Sequence, residues 1–513
     1  MAKTYYELLN EISSDEIYEG FVGYGLFADK IPPVFSSKAF YDYCANNAVQ
    51  PDITGHEYIY FENIRNINVP RAMGIPNPFA YNTLCKYIGD QWDELLTYFQ
   101  RKTQGQSYRI SRIHPRKVLD KNGEFTKILF DMNFKNLYAD GAPEQKMLIG
   151  KRFIVNADIS NCFPSIYTHA LAWALVGKSE AKRRRNEQQA LFNLIDKYSR
   201  NMKHGETDGL LIGPHVSNLL AEIILVEIDR ILFEEGYSFI RHIDDYACFT
   251  ESYETAQNFI NDLVTALRGF DLALNHKKTN IAELPIGLEK EWKRKLFSFS
   301  FPPSGTPVTF PTVRNYLDYA IKLAHDSGDW AVLNYAIKVV SGVDNLSHNA
   351  CEYIVDTVFS LAILFPYLIP LLDDYIFSVF QVNVLRIKEI CEAAYSDGLR
   401  TRNFEACDYA LFYCMKYGID MDNVALAGDV IATEDCIFLI LSALYYKSIQ
   451  SDIEFQNLLS HARTINTGGV DFDRYWLFVY EMVDAIELSS PWREMKAAGI
   501  SFIIDEHNVL REE

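Results

Sequence analysis

Asp244 and Asp245 stand side by side within residues 239–250 (FIRHIDDYACFT), flanked by apolar and aromatic residues. Two β-prone runs separated by adjacent carboxylates predict a hairpin with the acids at or beside its turn. Two neighbouring carboxylates repel and serve an apolar core poorly; a divalent cation, which wants hard oxygen ligands, removes the conflict. Alone, the pair reads more readily as an Asp-Asp turn that caps a hairpin. A third acid changes that balance. Residues 151–171 read KRFIVNADISNCFPSIYTHAL, and 153–157 alternate as a strand buried on both faces that ends at Asp158. A carboxylate closing such a strand more often faces a site than a core.

The elements that must position these acids are legible around them. Gly209, Gly213 and Pro214 lead into a long helix over about 216–235. Leu219, Leu220, Ile223, Ile224, Val226, Ile228 and Ile231 make it apolar around much of its circumference, as a central helix requires. The acidic hairpin follows directly, then a helix over 253–267 and a turn with Lys277 and Lys278 before a short strand. Upstream, Pro76 and Pro78 precede a predicted helix over 79–99. Residues 107–118 (SYRISRIHPRKV) alternate like a strand carrying Arg109 and Arg112. They form either an electropositive surface for a triphosphate or a solvated, charge-protected strand edge. The run 178–189 (KSEAKRRRNEQQ) reads as a solvated helix end whose basic side could meet phosphates. Residues 1–50 read as short helices around a turn-rich link. From about residue 311, helix-like segments with recurring aromatic-aliphatic faces predict stacked helical hairpins, without a repeat that aligns.

The 513 residues exceed one ordinary core and predict two to four domains. Residues 311–513 hold 14 Lys and Arg against 30 Asp and Glu, so −16 of the net charge of −19 lies there. Nucleotide chemistry therefore belongs to the near-neutral first 310 residues, whose stretch 101–152 is basic. Nine cysteines without a C-x-x-C pair suit reduced thiols and argue against a disulfide frame or zinc site. No long uncharged apolar run and no apolar N-terminal centre appears, which predicts a cytoplasmic protein that does not span a membrane.

Four stretches in order, DISNCF (158–163), GLLIGPHVS (209–217), HIDD (242–245) and NHKKT (275–279), resemble the palm motifs of reverse transcriptases. With IPNPFAY before them and RYWLF in the tail, the chain is similar to the bacterial abortive-infection polymerases of the AbiK-like branch. The resemblance implies an α+β fold: reverse-transcriptase-like fingers and palm, then an all-α helical-repeat (HEAT/solenoid-like) domain. The implied division is 1–150 for the N-terminal segment and fingers, 151–309 for the palm and 310–513 for the helical repeat. It also implies template-independent, protein-primed DNA synthesis from dNTPs in antiphage defence, with Mg²⁺ or Mn²⁺ as cofactor. A single-stranded DNA product attached to the protein and a homo-oligomer, trimer or hexamer, in the bacterial cytoplasm complete that expectation. By position, Asp158, Asp244, Asp245 and the backbone carbonyl of Ile159 would hold the metals. Lys278 would protonate the leaving pyrophosphate, or else is an exposed turn lysine. Phe163 would exclude a ribose 2′-OH, with Gly213, Arg109, Arg112 and Lys151 as further nucleotide contacts. Tyr5, Tyr6 and Tyr24 are the candidate priming residues, preferred where mobile and polar in context.

Two departures matter. His242 replaces the hairpin tyrosine, and Leu211-Ile212 replaces Pro-Gln before the second glycine. Loss of that amide fits synthesis without a template. The rival readings are a conventional templated reverse transcriptase and a catalytically silent palm acting as a scaffold. Retention of three like charges weighs against the scaffold.

Overall fold

Short runs rich in β-branched and aromatic residues build two sheets in the computed structural model, which describes residues 3–27, 31–67, 69–120, 122–130, 144–287, 290–467 and 469–510. The first is a hairpin of β1 (Tyr58–Ile64) and β2 (Pro70–Pro76). The second is antiparallel, in the order β4 (Phe239–His242), β5 (Asp245–Thr250), β3 (Phe153–Asp158), β6 (Asn280–Glu283). Val155 and Ala157 of β3 and Tyr246 and Cys248 of β5 enter the main core. Ile154, Ile240 and Phe249 project the other way into a small cluster covered by Tyr108, Met147 and Leu148. Because side chains alternate, Asp158 and Asp245 share that second face.

The core face packs on the helix Tyr253–Gly269, which in turn meets the central helix His215–Glu234. The central helix is buried around most of its circumference, as its composition predicts. The single helix expected over 79–99 is instead two, Pro78–Asp90 and Trp92–Lys102. Gln91 leaves helical geometry at φ −108°, ψ 17°, and the Trp92 indole is pinned to the Ile12 carbonyl at 2.8 Å. A tertiary hydrogen bond thus overrides a continuous apolar stripe.

The strand expected over 107–118 reduces to one parallel bridge, Ser111 with Arg241. Arg109, Ile110, Ser111, Arg112, Ile113 and His114 are all buried, so no alternation of wet and dry faces survives. The segment runs between the β4 edge and the first helix (Tyr5–Leu9), with the Tyr5 and His114 rings 4.4 Å apart.

The tail is helical, including Phe310–Ser327, His348–Leu364, Val384–Thr401, Phe404–Tyr417, Cys436–Ser448 and Trp476–Met482. It returns to the N-terminal region. Glu405 accepts from the Ile64 amide at 2.6 Å, and the Ser36 and Phe502 backbones bond at 2.8 Å. Trp492 packs edge-on against Phe79, with ring centroids 5.0 Å apart. Among the described residues no helix is long and apolar enough to cross a membrane.

One contact between the tail and the segment before β1 is ionic. His56 Nε2 lies 2.8 Å from Asp52 and Nδ1 lies 3.0 Å from Asp473, which also accepts from the Glu57 amide. Burial alone would push the imidazole down, but Asp473 and Asp52 raise it to about 9. The folded value lies above the ordinary 6.5, so this stabilisation is full below about pH 6.5 and disappears as pH rises through 9. Its size is on the order of 2–3 kcal/mol. We predict that His56→Gln lowers Tm at pH 6 and flattens its decline between pH 6.5 and 9, measured by thermal denaturation across that range.

Candidate active site

The antiparallel register of β3 and β5 sets Asp158 directly opposite Asp245. β4 and β5 turn back through Ile243 and Asp244, and the Asp244 carbonyl accepts from the Ile159 amide at 3.1 Å. Asp158, Asp244, Asp245 and the backbone of Ile159 therefore lie together at one end of the sheet. Asp158 is buried, and its two oxygens accept from Lys278 Nζ at 2.7 Å and Asn275 Nδ2 at 2.8 Å.

Like charges directly opposed across a ladder are destabilising. Burial, then Asp244 and Asp158, push the Asp245 carboxyl up to about 6. Burial, with Asp158 adding to it, raises Asp244 as well. Asp158 raises Lys278, a mutual stabilisation of ammonium and carboxylate. Among the described residues no three Asp, Glu, His or Cys side chains converge as a ready-made metal centre. Asp158 is turned instead to Lys278 and Asn275. The donor set nevertheless fits a hard divalent cation: clustered carboxylate oxygens whose repulsion such a charge relieves. Beside them, burial followed by Arg112 and Arg241 pushes His242 down to about 4, so the imidazole is neutral at pH 7.

The wall next to the acids is built on backbone contacts. Asn161, at φ 47°, turns the chain into the short helix Cys162–Ser165, which carries Phe163. The Phe163 carbonyl accepts from the Leu210 amide at 2.8 Å, and the Ile166 carbonyl from the Gly209 amide at 2.8 Å. Gly209 has φ +74°, and a Cβ there would lie 2.8 Å from the Pro164 carbonyl oxygen, so only glycine allows this approach. On the other side, the Gly74 amide of β2 donates to the Ile212 carbonyl at 2.9 Å. The segment carrying Ile212 and Gly213 is thus held between Phe163 and the β1–β2 hairpin.

Not every expected residue joins this group. Lys151 precedes β3 at the end away from Asp158, a strand length of about 17 Å, and pairs with Glu251 at 3.0 Å. Arg109 and Arg112 are buried, Arg112 within 3.4 Å of Glu144, so they present no solvent-facing electropositive surface. Tyr5 is buried and donates to Glu222 at 3.0 Å. Burial and that carboxylate push its phenol well above 10, the opposite of what a mobile priming hydroxyl needs. Tyr6 is half-buried and bonds Asn10 at 3.3 Å, whereas Tyr24 is 37 % exposed.

Sequence reasoning missed several neighbours. Burial, then Arg65, lower Arg71 of β2 while Asp244 opposes them, so the β1–β2 hairpin brings positive charge toward Asp244. Asn275 was visible as part of NHKKT but not as the Asp158 partner. Behind the turn lies a buried cluster of Arg241, Glu222 and Asp229. Its signal was a pair of acids seven residues apart, and so on one face, of the largely buried central helix.

Residues 100–328 match the family model described as reverse transcriptase (RNA-dependent DNA polymerase). A reverse transcriptase domain implies nucleotidyltransferase (DNA polymerase) activity, and polymerases of this family generally use a divalent metal. No curated protein matches the chain. Among solved structures, the apo telomerase of Candida tropicalis truncated from its C-terminal domain is 14 % identical, TM-score 0.28, over 49 % of this chain and 55 % of that one. The apo telomerase of Candida tropicalis is 12 % identical, TM-score 0.32, over 82 % and 72 %. The telomerase of Candida albicans in complex with a TWJ fragment of telomeric RNA is 12 % identical, TM-score 0.28, over 81 % and 67 %.

The opposed carboxylates give a direct stability test. The raised Asp245 value means that ionisation above about pH 6 penalises the metal-free fold, and that the penalty fades as pH falls toward 4. Asp245→Asn is expected to stabilise the metal-free protein at pH 7 by roughly 1 kcal/mol, discounted because part of the residue reaches solvent, which screens the repulsion. Denaturant titration at pH 7 and pH 4 checks both the gain and its disappearance.

Proposed function

We propose that this reverse transcriptase domain serves a template-independent, protein-primed DNA polymerase of the AbiK-like kind, acting in abortive infection of phage-attacked bacteria. The observation that carries the transferase reading is the opposition of Asp158 and Asp245 with Asp244 at the adjoining turn. Mg²⁺ or Mn²⁺ held by Asp158, Asp244, the Ile159 carbonyl and Asp245 would favour deprotonation of the attacking hydroxyl and neutralise the leaving pyrophosphate. The chain's own groups supply the rest. The Lys278 ammonium lies 2.7 Å from Asp158 with 60 % of its side chain exposed, free to swing and donate a proton to the pyrophosphate. Arg71 brings positive charge from the fingers for the triphosphate. Phe163, whose carbonyl accepts from the Leu210 amide, follows Asp158 by five residues, and in this reading its ring excludes a ribose 2′-OH.

The template-independent part of the reading rests on Ile212, which offers no amide to a template strand. The strongly acidic tail, packed on the fingers, is a poor duplex track. Of the three candidate primers, Tyr24 alone combines substantial exposure with a position outside the core. The helical tail serves, in this reading, as a repeat scaffold for a homo-oligomer. The description of the matched family favours a second reading, synthesis directed by an RNA template.

Purified protein incubated with each labelled dNTP and Mg²⁺, without template or primer, separates these readings on a denaturing gel. Label migrating with the protein is expected, abolished by Asp244→Asn and strongly reduced by Tyr24→Phe. Synthesis that requires and copies an added template favours the second reading. Normal incorporation by Asp244→Asn contradicts both. Phe163→Ala is expected to admit rNTPs while retaining dNTP use, measured by paired incorporation assays; unchanged discrimination places the sugar gate elsewhere.

A further inference from the structure

Arg241 is wholly buried on the face of β4 turned away from the carboxylates, yet its side chain reaches the turn that carries Asp244. Nη1 donates to the Ile243 carbonyl at 2.8 Å and to Glu222 Oε1 at 2.7 Å. Nε and Nη2 bond Asp229 at 3.0 and 2.7 Å. Glu222 and Asp229 lie two turns apart on the central helix and so share its face toward β4. Tyr5 completes the group from the first helix through its 3.0 Å bond to Glu222 Oε2. The Arg241 backbone is fixed as well, its amide to the Ile110 carbonyl at 3.0 Å and its carbonyl to the Arg112 amide at 2.9 Å.

What this group holds is a strained element. Ile243 adopts φ +56°, a left-handed conformation that a β-branched side chain resists. A two-residue hairpin with positive φ at its first position ordinarily takes glycine there. Such a conformation persists where surrounding contacts over-determine it. A buried ion triad is in itself weak evidence of stability, because well-packed neutral residues often do as well. Three charges and a phenol behind a strained turn therefore point to geometry.

We infer that Arg241, with Glu222, Asp229 and Tyr5, is a positioning device that locks the Ile243–Asp244 turn and so aims Asp244 toward Asp158. Its consequence for nucleotide transfer rests on the polymerase reading; the locking itself rests on the hydrogen bonds. The N-terminal helix thereby acts on the site through Tyr5, without contacting a reacting atom.

Two variants test this. Tyr5→Phe removes one bond and keeps the ring. Arg241→Met with Glu222→Gln and Asp229→Asn removes the grip on Ile243 while leaving no buried charge unpaired, which protects the fold. Hydrogen exchange at the amides of residues 243–245 is measured in metal-free protein, Mn²⁺ affinity by electron paramagnetic resonance, and kcat and KM for dNTP separately. In the triple variant exchange at the turn is expected to rise at least tenfold, with the rest of β4 and β5 protected. Mn²⁺ affinity should fall about tenfold, and kcat should fall more than KM rises; Tyr5→Phe should show the same pattern at about threefold. Unchanged turn exchange and Mn²⁺ affinity, with only Tm lowered, overturns the inference. Wild-type protein that incorporates no dNTP while the exchange difference remains overturns the polymerase reading and leaves the positioning device standing.

Discussion

Two carboxylates facing each other across a pair of antiparallel strands are a cost that the surrounding structure must offset. Asp158 and Asp245 occupy that position, with Asp244 one residue away. The compensation comes from several directions. Lys278 and Asn275 bond Asp158 directly, Arg71 brings positive charge toward Asp244 from the β1–β2 hairpin, and Arg241 grips the turn from behind. The residual repulsion is what makes the cluster receptive to a divalent cation.

The rest of the chain keeps this end of the sheet rigid and accessible. The Phe163 wall, the glycine-bearing segment after it and β2 are tied in series by amide–carbonyl bonds. The tail folds back on the N-terminal region: residues 502–504 pair with 34–36, and Glu405 and Asp473 take hydrogen bonds from in and beside β1. The β1–β2 region is therefore braced by the acidic helices, through buried aromatic packing and through His56, whose charge depends on pH.

The legible parts were those governed by periodicity. The strand ending at Asp158, the acidic hairpin and the central helix follow from alternation and from an apolar circumference, and ordered motifs linked them. What the sequence concealed was where charge and aromatic groups go once the chain closes. Arg109 and Arg112 sit in a run that alternates like an exposed strand, yet they lie inside because residues 110–112 fill the edge of β4. Tyr5 looks like a loose terminal tyrosine, but its phenol is spent on Glu222 more than two hundred residues away in sequence. Lys151 is near Asp158 in sequence and a strand length away in space. Arg241, adjacent to HIDD, reads as one more basic residue until its parity places it on the core face. Long-range pairings of this kind leave no local period.

The central claim is that the opposed carboxylates form one metal-dependent site, with Lys278 bonded to Asp158 in the metal-free protein. Anomalous diffraction from crystals soaked with Mn²⁺ and a non-hydrolysable dNTP tests it most directly. The account predicts Mn²⁺ density bridging Asp158 and Asp244 near the Ile159 carbonyl, with Lys278 displaced toward the phosphates. Lys278 still bonded to Asp158, with no Mn²⁺ among the three acids, would contradict it.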